Sequence, residues 1–347
     1  MTSRERWEAV LTRQTPDRVP MSYGATKEAT DKLLEHMSLP DLDAVFERLH
    51  IDQVVGVGGK YVGPEVTEGE NCFGCRFVNA SYELGSYWEC VHAPLAEFNT
   101  VEEIEANYTW PEPDWWDYSS LPQEIKGNEH LPITGGGCSV HLVYCQLRGL
   151  EQGFADFLEY PEIVSYCLDK LFELDYQRTV RIVETIPGAL QYSFVAEDFG
   201  SQESLLCSTD HIDEFLMPGM KRTIDVIHQA GAHVLFHSDG AIRPLLKSMI
   251  DAGIDVLNPV QWRCAGMERE GLKADFGDDL IFHGGMDNQQ TMAFGTVEDV
   301  RQEVHDNIAI LGDGGGYILA PCHNIQAITP PENIVALYEQ GYEEGWL

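Results

Sequence analysis

The run HVLFHSD, residues 233–239, is apolar until it stops abruptly at His237, Ser238 and Asp239, with Gly240 next. It is entered from a segment with helical spacing, 213–230 (DEFLMPGMKRTIDVIHQA), through Gly231, and so reads as a buried strand of a parallel sheet fed by an outer helix. In α/β sheets and barrels the chemistry gathers at the carboxyl ends of the strands. His237 and Asp239, two apart in an extended chain, point to one side there and are the first candidates for a site. The plainer alternative for Asp239 is a cap on the helix expected over 241–250.

Working outward, the same pattern recurs in LPITGG (131–136), QYSFVAED (191–198), DVLNPVQ (255–261), IFHGGMD (281–287) and YILAPCH (317–323), separated by helical patterns such as 151–185 and 296–311. Two earlier extended runs, 18–23 and 51–59, follow helical segments and bring the tally to eight strands. A unidirectional repeat of this kind predicts an α/β fold, a (β/α)8 barrel of the TIM type, over 1–347 as a single domain. An open doubly wound sheet is the alternative. Residues 61–118 break the rhythm and predict an aromatic-rich insertion of hairpins and loops after the second strand. In it, Trp110, Trp115 and Trp116 either pin the insertion to the body or wall a pocket. Gly56, Gly58 and Gly59 form a G-x-G-G, but no helix with a phosphate-binding pattern follows, which excludes a dinucleotide loop.

Lys and Arg number 22 against 57 Asp and Glu, a formal charge of −35 over 347 residues, which repels nucleic acid and anionic lipid. No apolar stretch approaches a membrane span and the first residues, MTSRERWEAVL, carry charges where a signal peptide needs its apolar core, so a soluble cytoplasmic protein is expected. The nine cysteines are scattered and read as reduced thiols. Cys72 and Cys75 make a C-x-x-C with no second pair at zinc-finger spacing.

The carboxyl ends of the predicted strands collect Tyr23, Glu197, Asp198, His237, Asp239, Asn258, Gln261, Asp287, Cys322 and His323. Within this ring His237, Asp239, Cys322 and His323 are chemically able to hold a metal ion, with Glu197 and Asp198 as further hard oxygens. A proton-transfer pair such as His237 with Asp198 needs no metal. Tyr23, Glu197, Asn258, Gln261 and Asp287 are then candidates for binding substrate.

Several of these pieces occur in an order that resembles the uroporphyrinogen decarboxylase superfamily, specifically its corrinoid-dependent methyltransferase branch. They are RQTPDRVP near the start, RGLEQ at 148–152, AEDFGSQ at 196–202, GAHVLFHSDG at 231–240, GIDVLNPVQ at 253–261, FHGGMDNQ at 282–289, GGYILAPCHNIQ at 315–326 and PPENI at 330–334. The resemblance implies a (β/α)8 barrel. By the same resemblance His323, Asp52 and Tyr144 match an active-site histidine, aspartate and tyrosine of the decarboxylases. The arginine-rich segment with which those enzymes pair tetrapyrrole carboxylates corresponds here to VPMSYGATKEATDKL, which has no arginine.

The coenzyme-M methyltransferases of the family bind zinc through His-x-Cys and a distal Cys. Here the first pair becomes His237-x-Asp239, and the distal position falls on His323 with Cys322 beside it. A harder ligand set suits polarising oxygen better than holding a thiolate. The resemblance therefore implies an O-demethylase component, passing a methyl group from an aryl methyl ether to the cob(I)amide of a separate corrinoid protein. Zinc, or His237 or His323 as an acid, would aid the leaving oxygen. No D-x-H-x-x-G corrinoid signature is present, so the cobalamin-type cofactor would come from that partner. A tetrapyrrole decarboxylase is the alternative activity, and a homodimer is left open.

Overall fold

A computed structural model describes residues 1–82 and 85–347. Its centre is a curled parallel sheet of seven strands: β1 (Val55–Val57), β2 (Ile133–Cys138), β3 (Tyr192–Ala196), β4 (His233–His237), β5 (Val256–Val260), β6 (Ile281–Met286) and β7 (Tyr317–Pro321). Each pairs with the next in chain order, a barrel topology without the reversal of a doubly wound sheet. Every residue of β5, β6 and β7 is buried, as expected of strands covered on one face by helices and on the other by the barrel's own filling.

The eighth expected strand, 18–23, is reduced to a bridge. The Pro20 carbonyl accepts from Leu319 N, and Ser22 N donates to the Leu319 carbonyl, each at 2.9 Å. On the other side the Met21 carbonyl accepts from Asp52 N at 2.9 Å, so residues 20–22 link β7 to the approach of β1. Pro20 has no N–H to extend the ladder, which limits the pairing to these few bonds.

The first helix, Ser3–Leu11, starts on a capping box in which Thr2 accepts from Glu5 N and Glu5 reaches back to Thr2 N. This helix closes the amino end of the barrel. Trp7, Val10 and Leu11 pack on Tyr192, Leu235, Val256, Ile281 and Ile318, with Trp7 stacked on Tyr192 at a centroid distance of 5.0 Å. These strand residues therefore face inward, whereas Phe236, Leu257, Phe282 and Leu319 pack in the outer core beneath the helices.

Residues between β1 and β2 hold an antiparallel hairpin (Arg76–Tyr82 with Gly85–His92), a short helix (Val101–Asn107) and a two-stranded pairing of Lys60–Tyr61 with Trp116–Asp117. Trp116 is buried beneath the Arg178 guanidinium, Trp110 packs edge-on against Tyr108 and Tyr166, and Trp115 packs edge-on against Tyr61. Among the described residues no helix is long and apolar enough to cross a membrane.

Candidate active site at the barrel mouth

Strand parity decides what faces the cavity. Counting by two from the inward layer of Tyr192, Leu235, Val256, Ile281 and Ile318 reaches Phe194, His237, Asn258, His283 and Ala320, one step nearer the carboxyl end. All five line a cavity of about 330 Å³, together with Tyr23, Tyr192, Cys322, His323 and Asn324. A larger cavity, about 480 Å³, lies at the opposite end beside the first helix, where its Arg4 and Glu8 pair with each other.

His237 is the hinge of the site. Its Nδ1 lies 2.6 Å from Asn258 Oδ1, and its Nε2 lies 3.7 Å from Asp198 Oδ1. Asp198, His237 and Asp239 each offer one ligand atom, and these atoms all lie within 4.8 Å of one another. The loop after β4 is braced from two sides. Phe199 N donates to Ser238 Oγ at 3.0 Å, and Gly240 N donates to Gln261 Oε1 at 2.8 Å. Gly240 has φ +90°, and a Cβ there would lie 2.4 Å from the Gly200 carbonyl carbon, so only glycine fits the turn that presents Asp239. Burial raises the Asp239 carboxyl above its ordinary range; the charges of His237 and His323 draw it down and Asp198 pushes it up. One imidazole nitrogen and two carboxylates are donors that could together hold a divalent ion.

The structure thus gathers His237, Asp198 and Asp239 in one cluster, with Tyr23, Asn258 and His323 around the same cavity. His323 is exposed and lies outside the cluster of ligand atoms. Cys322 does not join it either, because its buried thiol donates to the Val260 carbonyl at 3.1 Å and burial holds it well above the usual thiol range. Of the four residues expected to hold a metal ion, His237 and Asp239 offer atoms close enough to share one, and Asp198 completes that group. Cys322→Ser is expected to leave metal content and turnover within about twofold of wild type, since a hydroxyl can make the same bond; metal analysis beside a rate measurement checks this.

Four other expected site residues serve the scaffold. Asp52 is buried, and its carboxylate takes Arg6, Arg18 at 3.0 Å and Met21 N at 2.9 Å. The Tyr144 hydroxyl donates to buried Asp156 beside Arg148. Glu197 accepts from Val140 N at 2.6 Å and His141 N at 2.9 Å at the start of the helix Val140–Arg148; burial pushes it up to about 8 against those amides. Asp287 takes Arg263 Nε at 2.5 Å and the amides of Gln289 and Thr291. Gln261, braced against Gly240, is likewise a structural bracket. No tryptophan of 61–118 lines the cavity; its aromatic walls are Tyr23, Tyr192 and Phe194. His283, Tyr192 and Phe194 escaped the strand-end reading because they sit inside their strands, although inward parity would have found them.

The protein-family model described as uroporphyrinogen decarboxylase (URO-D) matches residues 120–343. The chain belongs to that family. A uroporphyrinogen decarboxylase of Psychromonas ingrahamii is 33% identical over 227 residues, covering 62% of this chain and 59% of the relative. Another, from Chromohalobacter salexigens, is 25% identical over 280 residues, 75% of this chain and 74% of the relative. Among solved structures, a methyltransferase from Methanosarcina mazei superposes with a TM-score of 0.65 over 99% of both chains at 18% identity, a likeness of fold. The family's enzymes and this barrel share an architecture; the chemistry rests on the mouth.

Proposed function

We propose that this chain is a corrinoid-dependent methyltransferase that moves a methyl group from an aryl methyl ether to the cob(I)amide of a separate corrinoid protein. The observation that carries the reading is the lining of the His237 cavity, whose larger side chains are aromatic rings, three histidines and two asparagines, with neither arginine nor lysine. A tetrapyrrole with many carboxylates needs cationic partners, and the arginines near the amino end are already engaged. Arg4 pairs with Glu8, Arg6 with Asp17 and Asp52, and Arg18 with Asp52. The chain's charge of −35 adds to the barrier against such a substrate. The fold likeness to a protein named a methyltransferase supports the same reading.

In this reading Tyr23, Tyr192 and Phe194 hold a planar methoxyarene, and the ether oxygen faces His237. A zinc ion held by Asp198, His237 and Asp239 would supply Lewis acidity at that oxygen. The methyl carbon bonds to the cobalt through the metal's electron pair while the carbon–oxygen bond breaks toward oxygen. In this reading His323, exposed and part of the cavity lining, gives the departing phenolate its proton. The decarboxylase reading is favoured by the curated relatives.

One assay separates the two. Methoxyarenes incubated with cob(I)alamin and the protein are expected to yield methylcobalamin and the matching phenols, and uroporphyrinogen is expected to release no carbon dioxide. Carbon dioxide release with no methylcobalamin from any ether would replace the methyltransferase by a decarboxylase.

A further inference from the structure

A single amide stands between two histidines on the cavity wall. Asn258 Oδ1 lies 2.6 Å from His237 Nδ1, and Asn258 Nδ2 lies 2.6 Å from His283 Nδ1. An amide oxygen can only accept and an amide nitrogen can only donate. With the amide turned this way, His237 carries a proton on Nδ1 and His283 presents a bare Nδ1. A neutral imidazole with a bare Nδ1 carries its proton on Nε2. Among the described residues, His283 Nε2 has no hydrogen-bond acceptor on another residue, although the ring is nine-tenths buried and lines the cavity.

We propose that Asn258 is a positioning residue that locks these two histidines in opposite tautomers, and that His283 is a substrate-binding donor. His237 then keeps its Nε2, and not its Nδ1, for Asp198 and Asp239, and His283 turns an N–H toward the bound molecule. The part of the substrate that His283 takes is an oxygen acceptor other than the reacting ether, such as a ring hydroxyl, carbonyl or second alkoxy group. The ligand class rests on the methyltransferase reading; the tautomers do not. The opposite amide orientation would put a proton on His283 Nδ1 and leave His237 Nδ1 bare. That arrangement directs a bare His283 Nε2 at the substrate and a protonated His237 Nε2 at the carboxylates, so the two orientations predict opposite spectra.

The first experiment uses the free protein labelled with 15N-histidine, with and without added zinc, and reads both rings by long-range proton–nitrogen correlation. Protonated Nδ1 on His237 and protonated Nε2 on His283 are expected, with the His283 pattern becoming mixed in Asn258→Leu. A protonated Nδ1 on His283, or an Asn258→Leu spectrum unchanged from wild type, would overturn the tautomer assignment. The second experiment measures equilibrium binding of 2-methoxyphenol and anisole. One neutral hydrogen bond predicts that the phenol binds about fivefold tighter. The preference should vanish in His283→Phe and return in His283→Gln, whose amide nitrogen replaces the donor. Equal binding of the two arenes to wild type, or an unchanged preference in His283→Phe, would overturn the substrate role. Absence of methyl transfer from every ether, with the expected spectra and the acceptor-dependent binding preserved, would reject the reaction and retain the positioning of both histidines.

Discussion

On the proposed reading, His237→Ala is expected to lower methyl transfer by about a hundredfold or more and to abolish zinc retention, with the barrel still folded. The imidazole stands at the carboxyl end of β4, half-buried, while the neighbours that hold the strand in place, Val234, Leu235 and Phe236, are fully packed. Its removal forfeits one bond to Asn258, a loss of about 1 kcal/mol, against a site in which it is the sole nitrogen of the ligand cluster. Asp239→Ala should behave alike, because a three-donor site that loses one donor keeps neither ion nor rate. Circular dichroism, metal analysis and a cob(I)alamin assay on the same preparation check the expectation. A folded His237→Ala protein with near-normal turnover would remove His237 from the chemistry, and an unfolded one would make it a packing residue.

The barrel was legible because parallel strands buried on both faces leave short apolar runs at regular intervals, and β2 to β7 fall on the runs that the sequence shows. The 18–23 segment was legible as extended chain but not as a bridge, since pairing partners distant in sequence decide how far a ladder runs. The site was half legible. A polar residue at a strand end is visible in one dimension, but the face it takes is not. His237 turns to the cavity and Asp239 to His237 and Asp198, whereas Glu197 turns outward to the amides of Val140 and His141, and Asp287 turns to Arg263. Asp52 and Tyr144 were carried by resemblance, and their surroundings of buried arginines became visible only when residues far apart in the chain met. His283 shows the converse. Its position inside an apolar strand hides it from a reading of strand ends, and only the inward register of β6 turns it to the cavity.

Asp156→Ala is expected to destabilise the fold by about 3–5 kcal/mol, because it strands a buried guanidinium. Arg148 is 2% exposed and gives Nε to Asp156 at 2.6 Å and Nη2 at 3.1 Å, while its Nη1 donates to the carbonyls of Leu95 and Phe98. The same pair thus ties the helices Val140–Arg148 and Leu150–Glu159 to the chain at 95–98. Burial alone would raise the Asp156 carboxyl, but hydrogen bonds from Arg148, Tyr144 and Gln152 outweigh it and hold the group below its ordinary value. Its contribution is therefore present above the unfolded value, near pH 4, and is lost as the pH falls through the lower folded value. The stability gap between wild type and Asp156→Ala, read from denaturant midpoints, should narrow only below about pH 4. Tyr144→Phe removes one of the three partners of that carboxylate, at a cost of about 1 kcal/mol, and should leave methyl transfer unchanged. If Tyr144→Phe instead kept its stability and lost turnover by a hundredfold or so, the tyrosine would belong to the reaction and not to the buried ion pair.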